Sequence, residues 1–363
     1  MFVSLLGYGT VGRGVWDMMQ KASFITPCKV LEKKDRCCEP FMTDDIESIV
    51  SDKQTEVVVE CMGGVDFAYS CVKKALENGK DVVTSNKALV VAHGLELNRI
   101  ASERGVSFVF SAACGGSMPI LRNLESAKQT DTVLSCGGIL NGTTNYILTR
   151  MQKDGLSYDS ALKEAQEKGY AEQDPSADLS GADTLRKIIL MSAVSFDMMP
   201  EKSLLCEGID NINEESIDDL KEMNRTVKLY GNSVRCNGTV SAYVLPVAFK
   251  NCDIESLVDY NMNLARYEAE CAGIQVFMGQ GAGRYPTASA VLRDLTLLKD
   301  RKVRMISQSC AAVESSFGSV RADFYLNVNG KANFAHDVAF DEIFEKVKNL
   351  RKEGSKVFFA QLV

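Results

Sequence analysis

Histidine is nearly missing from this sequence: only His93 and His336 occur among 363 residues, and no Cys-x-x-Cys pair is present. That excludes the usual structural or catalytic zinc sites, whose imidazole and thiolate ligands cluster at short spacings. Twelve cysteines scatter from Cys28 to Cys310, with only Cys37 and Cys38 adjacent. They read as small apolar residues of a reducing compartment, not as a disulfide framework. No apolar run approaches the roughly 20 residues that span a bilayer. No charged region and cleavage site precede the first strand-like run at residues 2–6, so neither a membrane span nor a secretory signal is expected, and the cytoplasm is. Positive charge is also short. With 41 Lys and Arg against 48 Asp and Glu, the net charge of −7 disfavours nucleic acid or an anionic membrane as the main partner. Repeats and low-complexity linkers are absent. What remains is 45% hydrophobic and 25% charged, an ordinary globular composition on a chain long enough for two domains or three small ones.

Residues 1–111 alternate short apolar runs with helical stretches. Strands are expected at 2–6, 29–32, 57–60, 81–84 and 106–110, and helices at 11–20, 67–78 and 88–104. Such alternation implies parallel pairing in an open, doubly wound α/β sheet of the Rossmann type. The pattern changes after Ser111. A strand-like run at 132–140, helices at 144–153, 157–167 and 181–195, and strand-like runs within 226–278 suggest an inserted α+β domain at 112–278. A helix at 286–299, within 279–300, returns to the first domain, and 301–363 form a short C-terminal region with a strand at 324–328 and a helix at 340–350.

Between the first strand and the first helix lies Gly7-Tyr8-Gly9-Thr10-Val11-Gly12. The first glycine allows the tight turn, the second lets a pyrophosphate approach the backbone, and the third lets helix and strand pack closely. The helix start then offers N–H groups and partial positive charge to phosphates. A dinucleotide site is therefore expected. Which dinucleotide stays open. Glu32, 20 residues past Gly12, suits the ribose hydroxyl of NAD, while Lys33, Lys34 and Arg36 suit the 2′-phosphate of NADP. A solvated charge run at a strand end explains the same residues.

The stretch 165–187 packs acids around a proline and a glycine, and Asp183 and Lys187 share one helix face at a spacing of four. Taken alone, that spacing fits an exposed ion pair worth roughly 0.3–0.5 kcal/mol. The whole pattern, A-x3-G-Y-x-E-x-D-P-x2-D-L-x-G-x-D-x3-K from Ala165 to Lys187, resembles the homoserine dehydrogenase signature. Further stretches agree in order: residues 60–64, 84–88, 115–120, 141–145 and 279–283 with 286–288. The likeness covers about residues 1–300.

This resemblance implies NAD(P)-dependent interconversion of L-aspartate 4-semialdehyde and L-homoserine, on the way to threonine, methionine and isoleucine, by a homodimer joined through the second domain's sheet. It implies that Glu172, Asp178 and Asp183 line the amino-acid pocket and that Lys87 and Lys187 surround the reacting oxygen. An acid/base lysine needs burial and a second cation to bring its pKa towards neutrality, and Asp183 would orient it. Which lysine carries the proton is left open. Gly63, Lys87 and Gly283 join the glycine loop as cofactor contacts. The resemblance also implies a sodium ion on backbone carbonyls of Ser111, Cys114, Gly116 and Met118, although the family often has glutamate at Ser111. Residues 301–363 are short for the regulatory ACT domain of many relatives and read as a partial one. Two other classes remain open: another two-domain reductase of amino-acid-derived substrates, such as an aspartate or dihydrodipicolinate reductase-like enzyme, and a non-catalytic nucleotide sensor.

Overall fold

The computed structural model describes residues 1–363 except Asn237, Arg301, Gly318 and Ser319; the expected start of the C-terminal region at Arg301 thus lies outside the described residues. Two compact units form, one from residues 1–129 with 280–311, the other from 130–279 with 312–363.

The first unit opens with β1 (Phe2–Leu6), α1 (Thr10–Met19), β2 (Thr26–Leu31), β3 (Met42–Thr43), α2 (Glu47–Val50), β4 (Val57–Glu60), α3 (Asp66–Glu77), β5 (Asp81–Thr84), α4 (Lys87–Arg104), β6 (Phe108–Val109) and α5 (Ile120–Ala127). The sheet runs β3-β2-β1-β4-β5-β6, and its strand pairs are parallel. Val3, Leu5, Leu6, Val57, Val58, Val59, Val82 and Val83 are all buried. Strands covered on both faces favour such unbroken β-branched runs, which is why their bounds were readable. The strand order reverses between β1 and β4, so the carboxyl ends of those strands flank the crevice where ligands of such sheets sit.

In the second unit come β7 (Val133–Ile139), α6 (Gly142–Asp154), α7 (Tyr158–Glu167), α8 (Ser176–Leu179), α9 (Ala182–Phe196), β8 (Met198–Lys202), β9 (Leu205–Cys206), α10 (Glu214–Glu222), β10 (Arg225–Cys236), β11 (Thr239–Lys250), β12 (Met262–Ala269) and β13 (Gly273–Gln280). The chain then re-enters the first unit through α11 (Arg284–Asp300), which packs against α1. It finishes in the second unit with β14 (Ala311–Glu314), β15 (Arg321–Val328), β16 (Lys331–Ala339), α12 (Phe340–Lys352) and β17 (Val357–Leu362).

The second unit's large sheet runs β13-β12-β7-β10-β11-β17-β15-β16, with β9 beside β11, and β14 pairs with β8 in a small sheet. Strand β17 lies parallel to β11 and antiparallel to β15. The C-terminal residues therefore extend the second unit's sheet, and Phe324, Leu326, Phe340 and Phe359 share one apolar core with Ile139 and Leu245. Residues 112–129, expected with the second domain, belong instead to the first unit. The Arg293 guanidinium of α11 donates to the Gly116 carbonyl of this segment, and Ser117 N–H donates to Gln280 O. Among the described residues, no helix is long and apolar enough to cross a membrane.

Candidate active site

In the first unit the glycine loop has the geometry its sequence demands. Gly7 sits at φ +97°, and a Cβ on Gly12 would lie 2.1 Å from the Gly7 carbonyl oxygen. Only hydrogen fits there. A Cβ on Gly9, by contrast, would meet nothing within 4 Å, leaving open space on the side where a phosphate would lie. Gly9 caps α1 with no side-chain bond to the helix N–H groups, so nothing of its own blocks Thr10 and Val11 from an anion. These residues fit a dinucleotide.

At the carboxyl edge of the same sheet stands a buried acid to which the sequence alone assigns no site role. Glu60 ends β4 fully buried, opposite Thr84 of β5 in the register. Its carboxyl accepts from the Met62 backbone N–H at 2.7 Å and from the Thr84 hydroxyl. Burial pushes its pKa up to about 7, only partly offset by these hydrogen bonds. Next to it, Asn86 caps α4 through Leu89 N–H at 3.1 Å and donates to Gly64 O at 2.7 Å. The Asn86 amide thus ties the exposed Gly63-Gly64 turn to the helix that begins at half-buried Lys87. The signal for Asn86 was present: an Asn directly before a helix is a favoured cap.

Residues 111–118 form a short 3-10 turn and a glycine loop beside α11. Ser111 Oγ donates to Asp294 at 2.6 Å, and Ser117 N–H donates to Gln280 O at 3.0 Å. A Cβ on Gly116 would lie 2.6 Å from Gln280 O, so the 115–118 and 280–283 segments touch backbone to backbone. Asp294 is wholly buried, which raises its pKa to about 6. Of the four carbonyls expected to hold sodium, that of Gly116 already accepts from the Arg293 guanidinium at 3.5 Å. An ion at that carbonyl would share its oxygen with the guanidinium. Cys114 and Met118 are buried in the same loop, and Gly283 holds φ +126° just before α11. Among the described residues, no three His, Cys, Asp or Glu side chains are grouped to hold a metal.

The second unit carries the acidic stretch. Helix α9 is buried along most of its length, from Lys187 through Phe196, as expected of a helix apolar all round. Lys187 is only 6% exposed and projects one turn below Asp183. Its ammonium lies 2.6 Å from Asp183 Oδ2 and donates to Leu140 O at 2.6 Å. The side chains of the pair are 7% and 13% exposed, so this is no solvated surface ion pair. Asn141, capping α6 through Thr144 N–H, donates to Asp178 at 2.6 Å and to Asp183 at 3.1 Å. Burial raises the Asp178 pKa; the Asn141 bond opposes this and the Asp183 charge reinforces it. Thr143 Oγ1 donates to Tyr170 O at 2.6 Å, binding the acidic loop to the start of α6.

Two stretches some forty residues apart, residues 140–141 and 178–187, therefore converge in one hydrogen-bonded cluster. Asp178, Asp183 and Lys187 are expected from the sequence, whereas Asn141, within the 141–145 likeness, carries no site role there although Asn-Gly-Thr before a helix is a cap signal. Glu172 is exposed and stands outside this hydrogen-bonded cluster. Lys87 belongs to the first unit and Lys187 to the second.

Comparison with known proteins agrees with both halves. Residues 7–111 match the family model described as "Homoserine dehydrogenase, NAD binding domain", and residues 119–296 the one described as "Homoserine dehydrogenase". The homoserine dehydrogenase of Bacillus subtilis is 35% identical over 324 residues, covering 85% of this chain and 75% of that protein. That of Neisseria gonorrhoeae is 35% identical over 309 residues, covering 81% and 71%. The crystal structure of a homoserine dehydrogenase from Thiobacillus denitrificans matches with a TM-score of 0.88 at 26% identity, covering 100% of this chain and 98% of that one. The chain belongs to the homoserine dehydrogenase family, NAD(P)-dependent oxidoreductases acting on a CH–OH group.

Proposed function

We propose that this chain interconverts L-homoserine and L-aspartate 4-semialdehyde, with Lys187 moving the proton, Asp183 orienting it and Lys87 as a second lysine at the reacting oxygen. The observation that carries this reading is the buried Lys187, held by Asp183 and Leu140 O at 2.6 Å each. Gly7 to Gly12, with Gly63, Lys87 and Gly283, would hold NAD or NADP, which would supply the hydride acceptor for oxidation and the hydride donor for reduction. The chain's own task is the proton. As homoserine is oxidised, the neutral Lys187 amine takes the hydroxyl proton; in reduction its ammonium gives that proton back. Two strong acceptors fix where the nitrogen points, which keeps proton transfer aligned without reorganisation. Asp178, held by the Asn141 amide at 2.6 Å, is the carboxylate we assign to the substrate ammonium. That charge partner offsets the burial that raises its pKa. Glu172, exposed on the acidic loop, is assigned to the same pocket.

We extend the same reading to a cytoplasmic enzyme of threonine, methionine and isoleucine biosynthesis. A homodimer is supported by β13, an edge strand on which Ile274, Val276 and Met278 form an exposed apolar stripe. Such an edge needs cover. No step is assigned to sodium. The direct test supplies the purified chain with L-homoserine and NAD or NADP and follows nicotinamide absorbance. Reduction that depends on homoserine is expected. No reduction with either nucleotide, alongside turnover of a different amino-acid-derived substrate, would return the chain to another class of reductase.

A further inference from the structure

We infer that the nucleotide site of this chain selects NAD over NADP, and that Glu32 makes the choice. This rests on the dinucleotide reading of the glycine loop. The linear sequence offers both an acid and three cations at the end of β2, and the fold keeps Glu32 and Arg36 in one cleft lining while Lys33 and Lys34 are not among its described residues.

Beside the glycine loop lies a cleft of about 960 Å³. Glu32 lines it directly after β2, and its carboxylate is pinned. Oε2 accepts from the Tyr8 backbone N–H of the glycine loop at 3.0 Å, and Oε1 accepts from Lys33 N–H at 2.9 Å. A carboxylate offers about four acceptor positions. With two used for anchoring, two remain for the vicinal hydroxyls of an adenosine ribose. A 2′-phosphate at the same place would bring a dianion against a carboxylate that its backbone bonds keep from swinging away.

The cations do not compensate. Lys33 and Lys34 are exposed and are not among the described residues that line the cleft. Arg13 is engaged through Nε with Tyr8 O at 3.1 Å, its guanidinium lying over the Tyr8 ring. Arg284 is paired with Asp17 at 2.5 Å. Arg36 is the remaining arginine of the lining, and Asp35 and Glu39 line the cleft with it. The cleft as a whole carries four acids, Asp17, Glu32, Asp35 and Glu39, against those three arginines.

The cleft also holds its own reporter. Trp16, the single tryptophan of the chain, stacks on Phe41 at 4.4 Å within the lining. The test titrates the full-length wild-type, Glu32→Gln and Glu32→Ser proteins with NAD and with NADP. Binding is read calorimetrically and by Trp16 fluorescence without homoserine, and kcat/KM is then measured with each nucleotide. Wild type should bind NAD more tightly than NADP by about tenfold or more, a difference of roughly 1.4 kcal/mol. Both variants should lose most of that ratio, chiefly by gaining NADP affinity, while their melting temperatures and Trp16 emission show the loop still folded. Glutamine keeps the acceptor for Tyr8 N–H, so it isolates the charge even if serine loosens the loop. Equal or tighter NADP binding by wild type, or an unchanged ratio in Glu32→Gln, overturns the assignment. Heat and fluorescence signals from neither nucleotide would instead sink the dinucleotide reading itself, and this inference with it.

Discussion

Replacing Lys187 by alanine should cut homoserine-dependent turnover on the order of a hundred- to ten-thousandfold, the range that a positioned acid or base contributes. The loss should fall mainly on kcat, because the ammonium is directed at Asp183 and a backbone carbonyl inside the second unit while the glycine loop belongs to the first. Nucleotide affinity, followed by Trp16 fluorescence, should stay within about threefold of wild type, a difference under roughly 1 kcal/mol. Removing the lysine also leaves Asp183 largely buried without its cation, which costs roughly 3–5 kcal/mol for a typical buried pair. A melting curve must accompany the rates. Lys187→Gln, which retains a donor for Leu140 O, separates lost chemistry from lost folding: it should fold and still fail to turn over. Rates comparable with wild type in a folded variant would remove Lys187 from the mechanism.

A second large effect is expected at Glu60, and it concerns stability against pH. Its pKa is about 7 in the fold, above the ordinary 4.5, because the carboxyl is buried. Between those values the folded protein keeps a proton that the unfolded chain has released. Stability from this group is therefore complete below about pH 4.5 and is lost as pH rises through 7. At about 1.4 kcal/mol per unit, the shift amounts to roughly 3 kcal/mol. Glu60→Gln keeps the shape and an acceptor for Met62 N–H but has no charge to bury. Urea unfolding of both proteins at pH 5 and pH 8 should show wild type losing about that much relative to the variant at the higher pH. Parallel stabilities at the two pH values would place the titration elsewhere.

Glu60 also shows where sequence reading stops. A glutamate ending a strand reads as a solvated boundary, and only the pairing of Glu60 with Thr84 and of Leu6 with Glu60 puts it beneath the sheet edge. Strands β1, β4 and β5 were legible to the residue because doubly covered parallel strands are unbroken apolar runs. The two-residue β3 and the four-residue α2 carry no such run and were missed. The place of β17 was equally hidden: its partners in β11 and β15 are long-range, and nothing local encodes which strand a segment will join. At the site, helical spacing correctly put Asp183 and Lys187 on one face. What it could not say is that the face is buried, which turns a weak surface pair into a fixed one. That difference decides the chemistry, and it depends on packing by segments distant in sequence. Asn141 was missed for a related reason: its cap role is local, but its bonds to Asp178 and Asp183 cross some forty residues of chain.

The most direct check follows an atom. L-homoserine deuterated at its hydroxyl-bearing carbon is turned over with the preferred nucleotide, and the reduced nucleotide is weighed by mass spectrometry. If this chain takes hydride from that carbon, each reduced nicotinamide carries one deuterium. Reduced nucleotide without deuterium, or no reduction of either nucleotide by a folded protein that binds it, contradicts the account.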